Sequence, residues 1–407
     1  MAKKNDAGVS VEELLTRGVE QVIVRQSLEE RLKRGDKLRL YLGIDPTGSQ
    51  LHLGHAIALR KLRDFQQLGH QVILLIGNFT ALIGDTSDKE SMRPVMSVEE
   101  IEANFKTYKE QASKILDFKH VEICYNADWL GKLTMTDVVK LAQQFTVQQM
   151  IERDMYQKRL EGGKPIGLHE FLYPLMQGYD SVAMDVDLEL GGNDQTFNML
   201  AGRTLQRVYN KKEKHILTTT LLEGTDGRKM AKTYGNFINI TEEPKEMFGK
   251  IMSLHDDLIV KYFTLCTDVS LDEIKKMEKA MKKGKNPKEF KVMLGKEIVT
   301  LYHDAKAADQ VSLDFEEVFS KGGKPEKIEK MKMDSGKFKV FALLEELEMV
   351  ESRSEGKRMI QQGAVRVNDV RIDDEDSIVE VKQGEKILIQ VGKRKWMELE
   401  GVEPAED

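Results

Sequence analysis

Apolar and polar positions change period several times along the chain, and each change predicts an element. Val9 to Gly35 reads as helix, and Leu38 to Gly43 as a short apolar strand. After a Gly/Asp/Pro turn, His52 to Leu68 forms an amphipathic helix with Ala56, Leu59, Leu62 and Phe65 on one face and Gly69 as its stop. Gln71 to Phe79 is an unbroken apolar run, as in a strand buried on both faces. Ser97-Val-Glu-Glu100 is a capping box that opens a helix through Ile101, Phe105, Tyr108 and Ile115, and Val121 to Tyr125 is strand again. Repeated strand–helix–strand units predict an α/β fold, a doubly wound parallel sheet with helices on both faces.

Thr136 to Leu160 reads as a helical insertion rich in Gln and Met. Helix resumes over His169 to Ser181, followed by a strand over Val186 to Gly192 with a glycine turn. Gly224 to Gly235 is a flexible basic loop. From Glu243 to Phe319 the pattern is helical, with a helix start at Pro287 after Asn286. Lys321 to Lys339, lysine-rich with Gly322, Gly323 and Gly336, reads as a linker. Phe341 to Trp396 begins helical and ends in short strands, a small α+β module. The expected boundaries are 1–235 with an insertion at about 130–165, then 236–320, a linker at 321–340, and 341–407.

Composition narrows this picture without naming a function. A chain of 407 residues holds two or three domains with a sizeable core. The net charge of −6 argues against bulk electrostatic capture of nucleic acid but leaves room for a local basic patch. Cys124 and Cys266 are too few for a disulfide framework or a cysteine-based zinc site. The first residues carry no apolar signal core, and no segment is long enough to span a bilayer. A cytoplasmic protein with no membrane partner is expected.

The candidate chemistry starts where the first apolar strand opens into a helix. Tyr41 to His55 runs from strand through the Gly43, Asp45, Pro46, Thr47 and Gly48 turn to a first helical turn bearing His52, Gly54 and His55. Unpaired N–H groups and the macrodipole attract phosphate to a helix start, and two histidines three apart add donors on one face. The pair alone reads as ordinary polar helix positions. A metal pair is the poorest of the readings, because no third ligand or zinc-helix glutamate accompanies it. The upstream turn raises the nucleotide reading. Lys229-Met-Ala-Lys232-Thr233 is by itself a solvated loop; beside a phosphate-binding helix, two lysines and a hydroxyl would close over a polyphosphate.

Together HLGH after the first strand and KMAKT after the last resemble the two signatures of class I aminoacyl-tRNA synthetases. More narrowly the chain resembles the bacterial tyrosine–tRNA ligases along nearly its whole length. Ile83-Gly84-Asp85, Tyr173 to Asp180 and Leu190 to Gln195 are further matching segments, in family order. The resemblance implies a Rossmann-like catalytic domain, an α-helical anticodon-side domain and a small RNA-binding domain of ribosomal small-subunit protein type. It implies an enzyme that activates L-tyrosine with ATP and then transfers it to the 3'-terminal ribose of tRNA(Tyr), working as a homodimer.

Residue by residue, the resemblance places Tyr41 and Asp180 on the substrate's phenolic hydroxyl. A phenol both donates and accepts, so a carboxylate and a tyrosine hydroxyl satisfy it, while phenylalanine would leave both unpaired; tyrosine–tRNA ligases are themselves the standard instance of that discrimination. Asp85, Tyr173 and Gln177 correspond to α-amino contacts with Thr80 nearby, and Gln195 to the substrate-carboxylate contact. Tyr173, Gln177 and Asp180 also share one helical face by their spacing. Gly43, Asp45, Gly54, Gly192 and Asp194 match positions around the nucleotide. Thr47, His52 and His55 match phosphate-facing residues, with Lys89, Arg93, Lys229, Lys232 and Thr233 as the cations and hydroxyl that reach pyrophosphate. Ala231 departs from the serine usual in the second signature, and Glu189 is assigned no role.

The tyrosine carboxylate is ionised at neutral pH, so activation needs positioning and electrostatics rather than a base. Mg²⁺ is expected with ATP, held mainly by phosphate oxygens, and no zinc. In the tail, Ser352 to Ile360 and Gly363 to Val370 carry the resemblance, with Arg353, Lys357 and Arg358 as the RNA-binding face; a solvated charged helix is the plain alternative. Two rival functions are a tryptophan–tRNA ligase on the same domain and a synthetase-derived RNA-binding or splicing cofactor.

Overall fold

Leu40, Tyr41 and Leu42 are all buried, as are Val72 to Ile76, so these runs are covered on both faces as central parallel strands must be. The computed structural model describes residues 10–46, 48, 50–85, 97–228, 230, 234–320, 328–392 and 395–403. The strands of the first sheet are β1 (Val19–Ile23), β2 (Arg39–Ile44), β3 (Gln71–Ile76), β4 (Val121–Tyr125), β5 (Leu188–Gly192) and β6 (His215–Thr219). Their spatial order is β1-β6-β5-β2-β3-β4, parallel throughout except for β1.

β1 corrects the sequence reading, which ran one helix from Val9 to Gly35. Helices occupy Val11–Leu14 and Arg25–Arg34, and the β-branched Val19, Val22 and Ile23 between them pair antiparallel with β6. The edge position overrides the local helical pattern. From β2 the chain moves outward to β3 and β4, then returns to place β5 on the other side of β2. This reversal opens a crevice beyond the carboxyl ends of β2 and β5, where open α/β sheets bind ligands.

The helix after β2 spans Leu53–Gln67 and its start is pinned. His52 is the N-cap, Leu53 N donates to Ile238 O at 2.9 Å, and Leu51 N donates to Gln111 Oε1 at 2.7 Å. The helix Tyr173–Met184 lies close against the helix Thr196–Tyr209. A Cβ on Gly178 would come 3.1 Å from Gly202 N, so the two backbones approach only because glycine is present. The insertion consists of three short helices, Met135–Ala142, Val147–Ile151 and Asp154–Glu161.

Two compact units divide the chain, 1–309 and 310–407. Residues 236–309 pack with the sheet rather than apart from it. Lys114 Nζ donates to Tyr302 O at 2.8 Å, and Arg60 pairs with Asp268 at 2.6 Å. In the second unit β7 (Glu329–Asp334) and β8 (Gly336–Lys339) fall inside the stretch read as linker; its residues 321–327 lie outside the described residues. β7 joins the strand Lys395–Val402 in parallel, an association between distant segments that lysine-rich composition conceals. Helices Val340–Glu346 and Arg353–Gln361 pack on a core that includes Leu343, Ile360, Ile389 and Leu399.

Candidate active site

A cavity of about 360 Å³ occupies the crevice at β2 and β5. Thirteen of the residues read as site residues line it: Tyr41, Gly43, Asp45, Gly54, His55, Thr80, Asp85, Tyr173, Gln177, Asp180, Gly192, Asp194 and Gln195. Thr47, Lys89, Arg93, Lys229, Lys232 and Thr233 lie outside the described residues, as does Ala231. Met230, between the two lysines, is described: a Cβ on Gly54 would stand 3.5 Å from its sulfur, so the second signature's centre lies beside the first.

The helix start holds its histidines in a fixed arrangement. Gly54 N donates to His52 Nδ1 at 3.1 Å and His52 N donates to His55 Nδ1 at 3.3 Å, while the rings stack 3.7 Å apart. With Nδ1 accepting, each ring carries its hydrogen on Nε2. Next to them, the loop before Lys229 is braced. Asp226 accepts from Asn236 Nδ2 at 2.8 Å and pairs with Arg228; the Asn236 bond first and the Arg228 pair second hold its carboxyl far below the usual carboxylate range, and Arg228 in turn covers the Tyr234 ring.

One end of the cavity is built around Asp180. Fully buried, it accepts from Trp129 Nε1 at 2.8 Å and Asn126 Nδ2 at 3.2 Å. Burial pushes its pKa well up, and the two donors pull against that shift. Tyr41, also fully buried, has its hydroxyl 3.0 Å from Ser181 Oγ. Burial, with Glu189 and Asp180 nearby, lifts its phenol pKa well above 10, so it stays a neutral hydroxyl.

At the other end, Tyr173 Oη donates to Asp45 Oδ2 at 2.7 Å, and Thr80 Oγ1 donates to Asp45 Oδ1 at the same distance. Gln195 Nε2 donates to Asp85 Oδ2 at 2.7 Å, and its carbonyl accepts from Asn198. Asp45, read as a nucleotide-side residue, thus ties Tyr173 and Thr80 together. Gly77 permits this: a Cβ there would stand 1.9 Å from Asp45 Oδ1.

Five residues to which the sequence reading gave no role shape the site: Asn126, Trp129, Ser181, Glu189 and Lys214. Asn126 and Trp129 follow β4, so the parallel-sheet rule would have flagged them. Lys214 sits in a Lys-Lys-Glu-Lys run that looks solvated, yet it is fully buried against Glu189. In the second unit, Arg353 pairs with Glu345 at 2.8 Å, and Lys357 lies 3.8 Å from Glu375 and over the Phe341 ring. Arg358 is exposed on the same helix.

Residues 33–320 match the family model of tRNA synthetases class I (W and Y), and residues 340–384 match the S4 domain. A tyrosine–tRNA ligase of Carboxydothermus hydrogenoformans is 45% identical over 95% of this chain and 97% of its own length. One of Thermotoga maritima is 45% identical over 96% and 97%. The chain belongs to the tyrosine–tRNA ligase family. The family model spans tryptophan and tyrosine enzymes alike, and the relatives decide between them. Tyrosyl-tRNA synthetase structures share the fold of the catalytic part. The mitochondrial one of Aspergillus nidulans gives a TM-score of 0.65 at 23% identity, covering 76% of this chain and 94% of that one. That of Archaeoglobus fulgidus, complexed with L-tyrosine, gives 0.60 at 23%, covering 74% and 99%. The S4 segment follows the catalytic region, on the tail whose sequence resembles a ribosomal small-subunit RNA-binding fold.

Proposed function

We propose that this chain activates L-tyrosine with ATP, releasing pyrophosphate, and transfers the tyrosyl group to the 3'-terminal ribose of tRNA(Tyr). The observation that carries the reading is the pairing of a buried neutral tyrosine hydroxyl with a buried carboxylate held by two donors, Tyr41 and Asp180, in one ligand-sized cavity at the sheet's switch point. A substrate phenol gives its hydrogen to Asp180 and accepts from Tyr41. The α-ammonium meets the acidic end, where Asp85, Tyr173 and Gln177 line the cavity with Thr80 behind them, and Gln195 stands by the carboxylate.

Gly43, Asp45, Gly54, Gly192 and Asp194 border the adenosine, glycine allowing close backbone approach. The substrate carboxylate attacks the α-phosphorus in line. Thr47, His52 and His55 donate toward the phosphates, and Lys89, Arg93, Lys229, Lys232 and Thr233 close on the departing pyrophosphate. The Nε2 hydrogens of the stacked histidines support that role. Mg²⁺ arrives on the phosphates of ATP; the carboxylates Asp45 and Asp85 are engaged with Tyr173, Thr80 and Gln195, which fits an ion held mainly by phosphate oxygens.

The tail contacts tRNA through Arg353, Lys357 and Arg358, and residues 236–320 face the anticodon side. The protein works as a homodimer in the cytoplasm. Exposed apolar side chains on and beside the insertion, Met135, Val147 and Leu168, each more than two thirds exposed, support a second copy there. Charging of tRNA(Tyr) with labelled tyrosine tests the whole reading. Charging with tyrosine and not tryptophan is expected; tRNA binding without charging by any amino acid would favour the non-enzymatic rival.

A further inference from the structure

Beneath the cavity lies an ion pair that the activation chemistry does not itself use. Lys214 and Glu189 are 0% and 2% exposed and in direct contact. Such a pair adds little stability over a well-packed apolar one, because both charges must be stripped of water. What distinguishes this pair is the direction it imposes on its neighbours.

Lysine donates and never accepts. Its ammonium gives one hydrogen to Glu189 Oε2 and another to Ser181 Oγ at 2.9 Å. Ser181, accepting from Lys214, has its own hydrogen for Tyr41 Oη, 3.0 Å away. Tyr41 then accepts from Ser181, so its own hydrogen turns away from Ser181 toward another acceptor. Glu189, which also takes hydrogens from Gln177 and Lys214, is one such acceptor and hydrogen-bonds the Tyr41 hydroxyl; a substrate phenol oxygen is the competing one. The Gln177 hydrogen comes from Nε2 at 3.0 Å. That bond fixes the Gln177 amide, leaving Oε1 buried with no hydrogen-bond partner among the described residues, on a side chain that lines the cavity. A buried unpaired carbonyl is costly, and a substrate ammonium relieves it. Gly202 makes room for the arrangement: a Cβ there would stand 2.4 Å from Lys214 Nζ and 2.7 Å from Ser181 Oγ.

We propose that the Lys214–Glu189 pair is a positioning device for tyrosine: through Ser181 it sets Tyr41 as donor to the phenol oxygen, and directly it sets Gln177 as acceptor for the α-ammonium. This rests on the tyrosine reading of the cavity. Lys214, Glu189 and Ser181 are positioning residues; Tyr41 and Gln177 make the contacts.

The test is amino-acid-dependent ATP–pyrophosphate exchange by the full chain, with KM for ATP measured alongside. Ser181→Ala keeps the ion pair and cuts only the link to Tyr41. It is expected to lower kcat/KM for tyrosine about threefold to tenfold, the range of one hydrogen bond, while leaving phenylalanine and the KM for ATP unchanged. The double variant Lys214→Met with Glu189→Leu removes both charges. It should raise KM for phenylalanine at least about tenfold, because the ammonium contact is common to both amino acids, and KM for tyrosine by more, because the setting of Tyr41 is lost as well, with KM for ATP within about twofold. An unchanged tyrosine-to-phenylalanine ratio in Ser181→Ala overturns the proposal. So does a folded double variant whose KM values for tyrosine and ATP move together. If the double variant fails to fold, Ser181→Ala decides alone. Wild-type chain that exchanges with no amino acid would overturn the tyrosine reading itself, and the proposal with it.

Discussion

Trp129 Nε1 donates to Asp180 Oδ1 at 2.8 Å, across a buried space between the end of β4 and the helix that carries the substrate-facing residues. Burial alone drives the Asp180 carboxyl toward its protonated form; this bond and that of Asn126 favour the ionised one. Only the ionised form leaves both oxygens free to accept, so the indole acts on specificity without touching substrate.

Trp129→Phe should therefore raise the Asp180 pKa further. The acid limb of kcat/KM for tyrosine moves to higher pH, and the value at pH 7 drops by about tenfold to a hundredfold, the range of one hydrogen bond to a charged group. A pH profile of pyrophosphate exchange checks this; a limb that stays in place or moves to lower pH counts against it.

Arg159 and Glu170 form a bidentate pair with side chains 1% and 0% exposed, joining the insertion to the turn ahead of Tyr173. Removing one partner strands the other's charge. Arg159→Met should cost roughly 3–5 kcal/mol of stability, read as a fall in urea midpoint. An unchanged midpoint would mean that the pair is dispensable.

Lys229→Ala or Lys232→Ala should reduce the rate of adenylate formation by about 10²–10³, the usual effect of losing one charge-stabilising donor. Tyrosine affinity should hold within about twofold, since these cations meet only the pyrophosphate. Single-turnover kinetics beside equilibrium tyrosine binding separates the two. Equal loss of both would place the lysines elsewhere.

Leu168, 80% exposed beside the insertion, belongs to the face assigned to a second copy. Leu168→Glu places a charge in that interface and should shift sedimentation from a species of twice 46.5 kDa toward the single chain. Wild-type chain that sediments as a monomer would refute the assignment outright.

How much of this was legible in the sequence follows from the kind of signal each feature leaves. β2, β3 and β4 are local apolar runs, and the helix after β2 announces itself by period and by its glycine stop. Thirteen of the residues named by motif line one cavity, with Tyr41 inside β2, Asp180 on the helix Tyr173–Met184 and Gln195 just past β5. β1 and β7 were hidden, since each is defined by a partner strand far away in sequence. Lys214 was hidden for a related reason. Its neighbours Lys211, Lys212 and Glu213 are surface charges, and only the close approach of Gly202 and Gly178 draws this one lysine under the cavity.

The most direct test of the central claim is ATP–pyrophosphate exchange by the purified chain with tyrosine, tryptophan and phenylalanine offered separately. The tyrosine reading predicts strong exchange with tyrosine, and phenylalanine lower by orders of magnitude because Tyr41 and Asp180 lose their shared partner. Exchange with tryptophan in preference to tyrosine, or with none of the three, would contradict it.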